Sequence, residues 1–422
     1  MLPFWNALGV PSTKLPLDVS TSVSYVLPPS VLSAVMGLLA MMPRTRAARV
    51  ALWPIVALLA LRAAVGVDMS LGKPGLRIMN AYFAVSVLQR KKLLQAWSTN
   101  LHRFLQTAMF AITARALDLA LTKEPLVRRL RPANSAPSII MDALDLSTNS
   151  RGVGWNWSHG LYIPRERRPT NRTAFVLCTF LSAAWYASLF GVLHRAVLSF
   201  TGVVSNPEGS TIFDQTLPFA TQYLRACIIS TLSAFATCFS LLMAYDLSTI
   251  PAVLFLGQDP AQWPPAFDAP WRATSLIDFW GRRWHQWLRR VFLFLGGDPL
   301  GVFFGRVGTI LGALIASAVV HDIFLLVIDP DAEPWRMLVG FGMMGPAMLA
   351  ERAFYKVTGR KVCGVVGWVW TMAWMVVLGN GMIEGVIKVR GFGSATLIDG
   401  VVPVRILVEY LVMAFDRWLH AV

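Results

Sequence analysis

A single histidine interrupts a long apolar stretch late in the chain. His321 and the adjacent Asp322 are the only ionisable residues over positions 307–328. An ionisable side chain at bilayer depth costs about 3 kcal/mol or more, so it normally faces a protein cavity and has a function. The alternative is a structural role, in which the imidazole hydrogen-bonds a neighbouring helix. The depth of the position favours function.

The chemistry that suits a shielded imidazole best is general base catalysis. Burial disfavours the charged ring, so the ring stays neutral and can accept a proton near pH 7. A substrate hydroxyl activated in this way can attack a thioester carbonyl, and a shielded site keeps water from competing. Ser317 lies one helical turn before His321 and could hydrogen-bond the ring, whereas Asp322 projects about 100° away.

A second concentration of reactive side chains occupies segment 275–290. With helical spacing the segment forms a polar and an apolar stripe. The stripes consist of Asp278, Arg282, His285 and Arg289 on one side and Trp280, Trp284, Trp287 and Val291 on the other. This pattern predicts an interfacial amphipathic helix near 276–292. A surface anchor is the alternative, but an anchor needs neither His285 nor Gln286, and these two residues favour a functional site.

The composition places these residues in a membrane protein. Of the 422 residues 55% are hydrophobic and 14% are charged, with a mean hydropathy of +0.54. A soluble domain carries about 25% charged residues. Stretches long and apolar enough to span a bilayer run over 22–42, 50–66, 172–198, 218–246, 307–328, 334–351, 362–387 and 402–415, with weaker candidates at 76–89 and 104–120. We therefore predict an all-α polytopic membrane protein with roughly eight to ten transmembrane helices.

Loop charges predict the orientation of this array. The loop 199–217 and the turn 329–333 contain acidic residues and no Lys or Arg, whereas 121–172, 272–290 and 352–361 are rich in basic residues. The positive-inside rule assigns the basic loops to the cytosol. The net charge of +15 therefore indicates contact with anionic lipid and an anionic cytosolic substrate, not a nucleic-acid partner.

Three motifs together resemble the wax synthase-like branch of the membrane-bound O-acyltransferase family. The most specific is Phe279-Trp-Gly-Arg-Arg-Trp-His-Gln286. The second is Ser317-Ala-Val-Val-His-Asp322, where Ala318 stands in place of the glycine that the family often has. The third is Arg151-Gly-Val-Gly-Trp155, which is similar to a segment of fungal members.

This resemblance implies a role for each motif residue. His321 would be the catalytic histidine, with His285 as the second active-site residue. Five residues would contact acyl-CoA at its cytosolic entrance, namely Trp280, Arg282, Arg283, Trp284 and Gln286. The charge of CoA agrees, because its phosphates require cationic partners and arginine offers bidentate contacts. Ser317, Asp322 and Asp278 would support the site.

The resemblance also implies the organisation and the substrates. We expect N-terminal transmembrane helices over 1–120, a basic cytosolic loop over 121–171 and an acyltransferase core over 172–422, in the endoplasmic reticulum membrane. We expect no permanently bound cofactor. We expect acyl-CoA as co-substrate, and the fungal resemblance implies that it is acetyl-CoA. The expected acceptor is a lipophilic alcohol, a terpenoid or meroterpenoid intermediate of secondary metabolism. A wax ester synthase using long-chain alcohols is the alternative within the family.

Two further alternatives concern metals and transport. Neither clustered carboxylates nor a histidine pair at helical spacing occurs, and His285 and His321 lie far apart in the sequence, so no metal site is predicted. A membrane transporter is the non-enzyme alternative. It predicts ionisable residues spread over several spans, whereas here the deep ones concentrate at His321 and Asp322, with Arg225 and Asp246 as further candidates.

Overall fold

The computed structural model describes residues 15–68, 91–129, 131, 137–149, 151–157, 161–200, 202–203, 211–329, 331–389 and 401–421. The chain divides into two compact units, Met1–His159 and Gly160–Val422. The weak candidate span at 76–89 lies outside the described residues. The three-part division at residues 120 and 171 stays a prediction.

Helices form almost all of the regular structure. In chain order the long ones are α1 (Val19–Ala40), α2 (Arg46–Gly66), α3 (Lys91–Leu121), α4 (Ile139–Thr148), α5 (Arg172–Leu198), α6 (Phe219–Leu254), α7 (Asp298–Ile328), α8 (Trp335–Thr358), α9 (Gly364–Ile387) and α10 (Val402–Ala421). The strands among the described residues are two short parallel ones, Leu15–Pro16 and Val67–Asp68. The prediction of an all-α polytopic membrane protein is confirmed.

Six stretches of the described chain are long and apolar enough to cross a membrane. They are α1, α2, α5, α6, α9 and Arg289–Leu326, which contains most of α7. The weak candidate at 104–120 is the second half of α3. The predicted spans at 334–351 and 402–415 are helical in α8 and α10, but neither helix is among the six.

The glycine motif at residues 151–155 lies in the first unit. Gly152 and Gly154 have positive φ values of 67° and 84°, which suit glycine because it has no Cβ. The resulting turn buries Trp155, whose indole nitrogen donates to Asp145 at 2.6 Å. The motif therefore stabilises the core of this unit.

The second unit has two ends that differ in charge. At one end, which we name the basic end, α5 begins, α6 ends and the 359–363 turn joins α8 to α9. Arg172 donates to the Gln258 carbonyl there at 3.1 Å. At the opposite acidic end, the backbone nitrogen of Ile212 donates to Glu384 at 2.8 Å. Lys388 pairs there with Glu333 at 3.0 Å.

The apolar stretch Arg289–Leu326 is a helical hairpin instead of one straight span. Gly305, with φ 55° and ψ −140°, breaks the helix. A Cβ on Gly312 would lie 2.0 Å from the Gly296 carbonyl oxygen, and a Cβ on Gly308 would lie 2.0 Å from that of Leu300. The two arms are therefore antiparallel and in backbone contact. From the acidic turn, the part of α7 that follows Gly305 and the whole of α8 extend over similar lengths, so Gly305 lies at the basic end.

The segment before this hairpin runs from the basic end into the interior of the unit. The indole of Trp368, near the start of α9, donates to the Trp271 carbonyl at 2.9 Å. Further along the chain, the Phe292 ring lies 6.2 Å from the His321 ring. From there the first arm of the hairpin returns to Gly305. Segment 271–304 is therefore re-entrant, and irregular backbone at this depth is tolerated because protein surrounds it.

The predicted interfacial helix at 276–292 is therefore wrong. A single α-helical turn at Leu276–Asp278 passes into a π-helical turn at Phe279–Arg283, and Trp284 is extended with ψ 151°. The α-helix resumes only at Arg289–Phe292. The physical reason is that side chains replace the helical hydrogen bonds. The amide of Gln286 donates to the carbonyls of Trp280 and Trp284 at 3.1 and 2.7 Å.

Helix α10 also differs from its prediction. Its last turn lies at the acidic end, where His420 contacts Asp214 at 3.0 Å. Lys388, which precedes the helix, lies at the same end. The chain therefore makes no net crossing between residues 388 and 420, and 402–415 is not a single transmembrane span as predicted.

Candidate active site

His321 lies on α7 with one ring nitrogen fixed by the helix itself. Its Nδ1 is 2.7 Å from the Ser317 carbonyl oxygen. A carbonyl oxygen only accepts, so Nδ1 carries the proton and donates it. In the neutral ring Nε2 then has a free lone pair. The predicted bond to the Ser317 hydroxyl is the weaker contact, since that oxygen lies 3.5 Å from Nδ1.

Aromatic rings border the imidazole. The Phe341 ring of α8 lies 4.9 Å from the His321 ring, and the Phe292 ring lies 6.2 Å away, measured between centroids. His321 is half-buried. The ring therefore keeps one accessible part within an apolar surround, which suits a group that meets a lipophilic substrate.

Phe341 connects the two motifs that the sequence singled out. Its ring lies 5.5 Å from that of Trp280, in addition to its contact with His321. Trp280 in turn contacts Trp284 at 6.0 Å, and Trp284 contacts His285 at 5.6 Å. Trp280 and Trp284 are thus linked to His321 through one ring of α8, whereas Phe292 of the same segment lies directly beside the imidazole.

His285 lies in an aromatic cluster a few rings away from His321. It stacks on Trp287 with centroids 4.8 Å apart and meets the edge of Phe267 at 5.6 Å. The rings of Trp284, Trp280 and Phe341 connect His285 to His321. Its role as the second active-site residue stays a prediction.

The two adjacent arginines, predicted alike, have different surroundings. Arg283 donates to the Asp278 carboxylate at 2.5 Å and to the Asp268 carbonyl at 3.0 Å. Arg282 is exposed, and its guanidinium lies 6.0 Å from the centre of the Tyr162 ring. Within the described residues, no carboxylate is within ion-pair distance of Arg282. Arg283 therefore holds the segment together, whereas Arg282 is available to an anion.

Tyr162 beside Arg282 is itself fixed. Its hydroxyl donates to Asp268 at 2.7 Å. This hydrogen bond, followed by burial, raises the pKa of the Tyr162 phenol above its usual value. The phenol therefore stays neutral at physiological pH.

The supporting residues are placed as follows. The backbone nitrogen of Asp278 donates to the Ser275 hydroxyl oxygen at 3.0 Å, and the Asp278 carboxylate accepts from Arg283. Asp322 is buried next to His321 in sequence, and its Oδ1 has no hydrogen-bond partner in the described part of the chain. Gln286 is buried, and its amide nitrogen is occupied by two backbone carbonyls. The substrate and supporting roles of these residues stay predictions.

Sequence reasoning missed Glu351, which holds the start of the re-entrant segment. This buried carboxylate of α8 accepts from the backbone nitrogens of Leu276 at 2.6 Å and Ile277 at 3.1 Å, and from the Trp370 indole at 3.0 Å. Glu351 is the last residue of a predicted span, where a charge is ordinary. The sequence signal was therefore too weak to identify it.

We expect Glu351→Leu to destabilise the protein by several kcal/mol. The change leaves three donors without an acceptor, and each buried unsatisfied donor costs about 1–3 kcal/mol. Thermal unfolding in detergent measures the effect. Trp370→Phe is the matched control, because it removes one of the three donors and should cost about 1 kcal/mol for that bond. An unfolding temperature of Glu351→Leu equal to that of the wild type would show that the contacts carry little energy.

The comparisons with known proteins match the segment that the structure brings together. A family model described as "Membrane bound O-acyl transferase family" matches residues 263–342, which include the re-entrant segment, His321 and Phe341. Over these residues the chain is similar to this family. Within the described residues, no group of three or more His, Cys, Asp or Glu side chains could hold a metal ion. The absence of a metal from the mechanism stays a prediction.

Several individual proteins are similar in sequence to parts of this chain. An O-Mevalon transferase of Aspergillus niger is 33% identical over 160 residues, covering 35% of this chain and 34% of that protein. An acetyltransferase of Rhodocybe pseudopiperita is 26% identical over 312 residues, covering 68% of this chain and 79% of that protein. A long-chain-alcohol O-fatty-acyltransferase of Simmondsia chinensis is 27% identical over 106 residues, covering 23% and 30%. The chain spans about a third of the length of the O-Mevalon transferases that it matches.

Proposed function

We propose that this protein transfers an acyl group from acyl-CoA to the hydroxyl of a lipophilic alcohol within the membrane. The observation that carries the proposal is the hydrogen bond from His321 Nδ1 to the Ser317 carbonyl. It leaves Nε2 as a proton acceptor in an apolar site, within the residues that are similar to the membrane bound O-acyl transferase family.

The proposed reaction is a single acyl transfer with general base catalysis. Nε2 of His321 takes the proton of the acceptor hydroxyl while the alcohol oxygen attacks the thioester carbonyl. The carbon–oxygen bond forms, the carbon–sulfur bond breaks, and the CoA thiolate leaves. The imidazolium then returns its proton to the thiolate, so that an ester and free CoA are released.

Trp280 is the proposed donor to the thioester carbonyl. Its indole nitrogen is buried and has no hydrogen-bond partner in the described part of the chain. Its ring contacts Phe341, which in turn contacts His321. A donor placed beforehand near developing negative charge stabilises the transition state. The surrounding rings also limit access of water, which would otherwise take the acyl group.

We further propose an acetyl group as donor and a terpenoid or meroterpenoid alcohol as acceptor. In support, proteins named acetyltransferases from Rhodocybe pseudopiperita and Hericium erinaceus align over 68% and 55% of this chain. The alternative is a long-chain alcohol, supported by the similar protein of Simmondsia chinensis. The endoplasmic reticulum membrane, where lipophilic intermediates and acyl-CoA meet, is the proposed location.

Arg282 is the proposed contact to the CoA phosphates. We expect Arg282→Ala to raise the KM for acyl-CoA by about three- to tenfold, because one exposed charge contact contributes about 1 kcal/mol. Kinetics at two salt concentrations measure the change, and the salt sensitivity of KM should decrease in the variant. Arg283→Ala is the matched control and should lower the unfolding temperature, because it frees Asp278. An effect of Arg282→Ala only on the KM for the alcohol would contradict this role.

The substrate classes are tested in microsomes that contain the protein. They are incubated with acetyl-CoA or palmitoyl-CoA and a panel of terpenoid and long-chain alcohols, and esters are identified by mass. We expect acetylated terpenoids. Palmitoyl esters of fatty alcohols would keep the mechanism and reject the proposed substrates.

A further inference from the structure

We propose that α10 lies along the membrane surface at the acidic end, with its outward face against lipid acyl chains. The inference does not depend on the reaction. It concerns which surface of the second unit meets the lipid and which side of the membrane the helix ends on.

The charged side of α10 faces the protein. Glu409 pairs with Arg195, and Asp416 pairs with Arg225 at 2.7 Å. Arg195 lies in the last turn of α5, and Arg225 lies in the second turn of α6. With the contact between His420 and Asp214, all three partners are at the acidic end. The helix is therefore held across this end of the bundle.

The opposite side of α10 is exposed and apolar. Its large exposed residues include Ile406 (53%), Leu407 (57%), Tyr410 (64%), Leu411 (57%), Met413 (50%) and Trp418 (55%). They fall on one helical face because their spacing follows three- and four-residue steps. A face of this size is unfavourable in water. Arg417, the charged residue beside it, has a long side chain that can reach the headgroups.

Exposed aromatic residues elsewhere at the acidic end support a contact with lipid. Exposed aromatic residues occur at the same end at the starts of α6 and α8, namely Phe219 (75%), Tyr223 (44%) and Trp335 (53%). Tyr and Trp concentrate where acyl chains meet headgroups. Tyr410 and Trp418 complete this set. The occupant that fits the α10 face is therefore the lipid leaflet at the acidic end.

The side of the membrane is tested with glycosylation tags. One variant carries a spacer with an Asn-Gly-Thr sequon after Val422, and a second carries the same tag within loop 199–217. Both tags should have the same state in microsomes, and both should be glycosylated if the positive-inside orientation is correct. A tag in the turn 359–363 is the control and should have the opposite state. Different states for the first two tags would show that α10 crosses the membrane and would overturn the proposal.

The lipid contact is tested by photo-crosslinking. Benzoyl-phenylalanine replaces Tyr410 on the outward face or Val412, which packs into the core at this end. After irradiation in membranes, the probe at Tyr410 should form lipid adducts in mass spectra, whereas the probe at Val412 should link to residues of the same chain. A probe at Tyr410 that links to a second copy or another protein would overturn the proposal. Crosslinks are compared only for variants that elute from a size-exclusion column at the same volume as the wild type.

Discussion

His321→Ala is expected to lower the rate of ester formation by at least about a hundredfold, the lower range for loss of a general base. The expectation rests on the bond from Nδ1 to the Ser317 carbonyl, which leaves Nε2 as the acceptor. Initial rates of the purified protein in detergent at saturating acyl-CoA measure the effect. The unfolding temperature should stay close to that of the wild type, because the hydrogen-bond contacts of the ring to the described residues are both to Ser317 within α7.

Ser317→Ala is the matched control for this experiment. Its hydroxyl lies 3.5 Å from Nδ1, whereas its backbone carbonyl at 2.7 Å is retained in the variant. We expect Ser317→Ala to keep the rate within about threefold of the wild type, since a hydrogen bond this long is weak. A loss as large as that of His321→Ala would show that the hydroxyl and not the backbone orients the imidazole.

Asp416→Ala is expected to destabilise the protein by about 3–5 kcal/mol. The Arg225 and Asp416 side chains are 0% and 1% exposed and are joined by two hydrogen bonds, at 2.7 and 3.3 Å. Removal of the carboxylate leaves a buried guanidinium without its counter-charge, and this is the main cost. Unfolding by heat or denaturant in detergent measures the change.

Two variants separate this buried pair from an ordinary ion pair. Asp214→Ala removes the partly exposed partner of His420 and should cost less than about 1 kcal/mol. The double variant Arg225→Leu with Asp416→Leu should recover much of the loss, because no uncompensated charge is buried. Equal losses for Asp214→Ala and Asp416→Ala would contradict the importance of burial.

The six apolar spans and the unusual position of His321 were predictable from the sequence because both depend on local composition. An apolar run of about 20 residues forms a helix in lipid wherever it packs. His321 is conspicuous for the same reason, since it interrupts such a run. Its orientation was not predictable, because the partner of Nδ1 is the backbone carbonyl of Ser317, which every residue type would supply.

The re-entrant segment was not predictable because its structure depends on distant partners. Helical spacing of Asp278, Arg282 and His285 indicated a surface helix. Glu351, 75 residues after Leu276, instead captures the first backbone amides, and the Gln286 amide captures two carbonyls within the segment. The backbone conformation of such a segment depends on whether side chains or the helix supply its hydrogen bonds. The periodicity of the sequence contains no information on this competition.

The charges of α10 show a related limit. A helix with Glu409 and Asp416 on one side and leucines on the other has the same pattern whether the charges face water or the protein. Here the partners Arg195 and Arg225 lie about 200 residues earlier in the chain, so the charged side faces inward. These ion pairs must be known before the exposed apolar side of α10 can be distinguished from its charged side as the one that faces lipid.

The central claim is that His321 activates an alcohol for acyl transfer from CoA. The most direct measurement follows free CoA and ester mass together, with purified wild type and His321→Ala supplied with acetyl-CoA and a terpenoid alcohol. We predict equal amounts of CoA and ester from the wild type and at least about a hundredfold less of both from the variant. Unchanged ester formation by a folded His321→Ala variant would contradict the account.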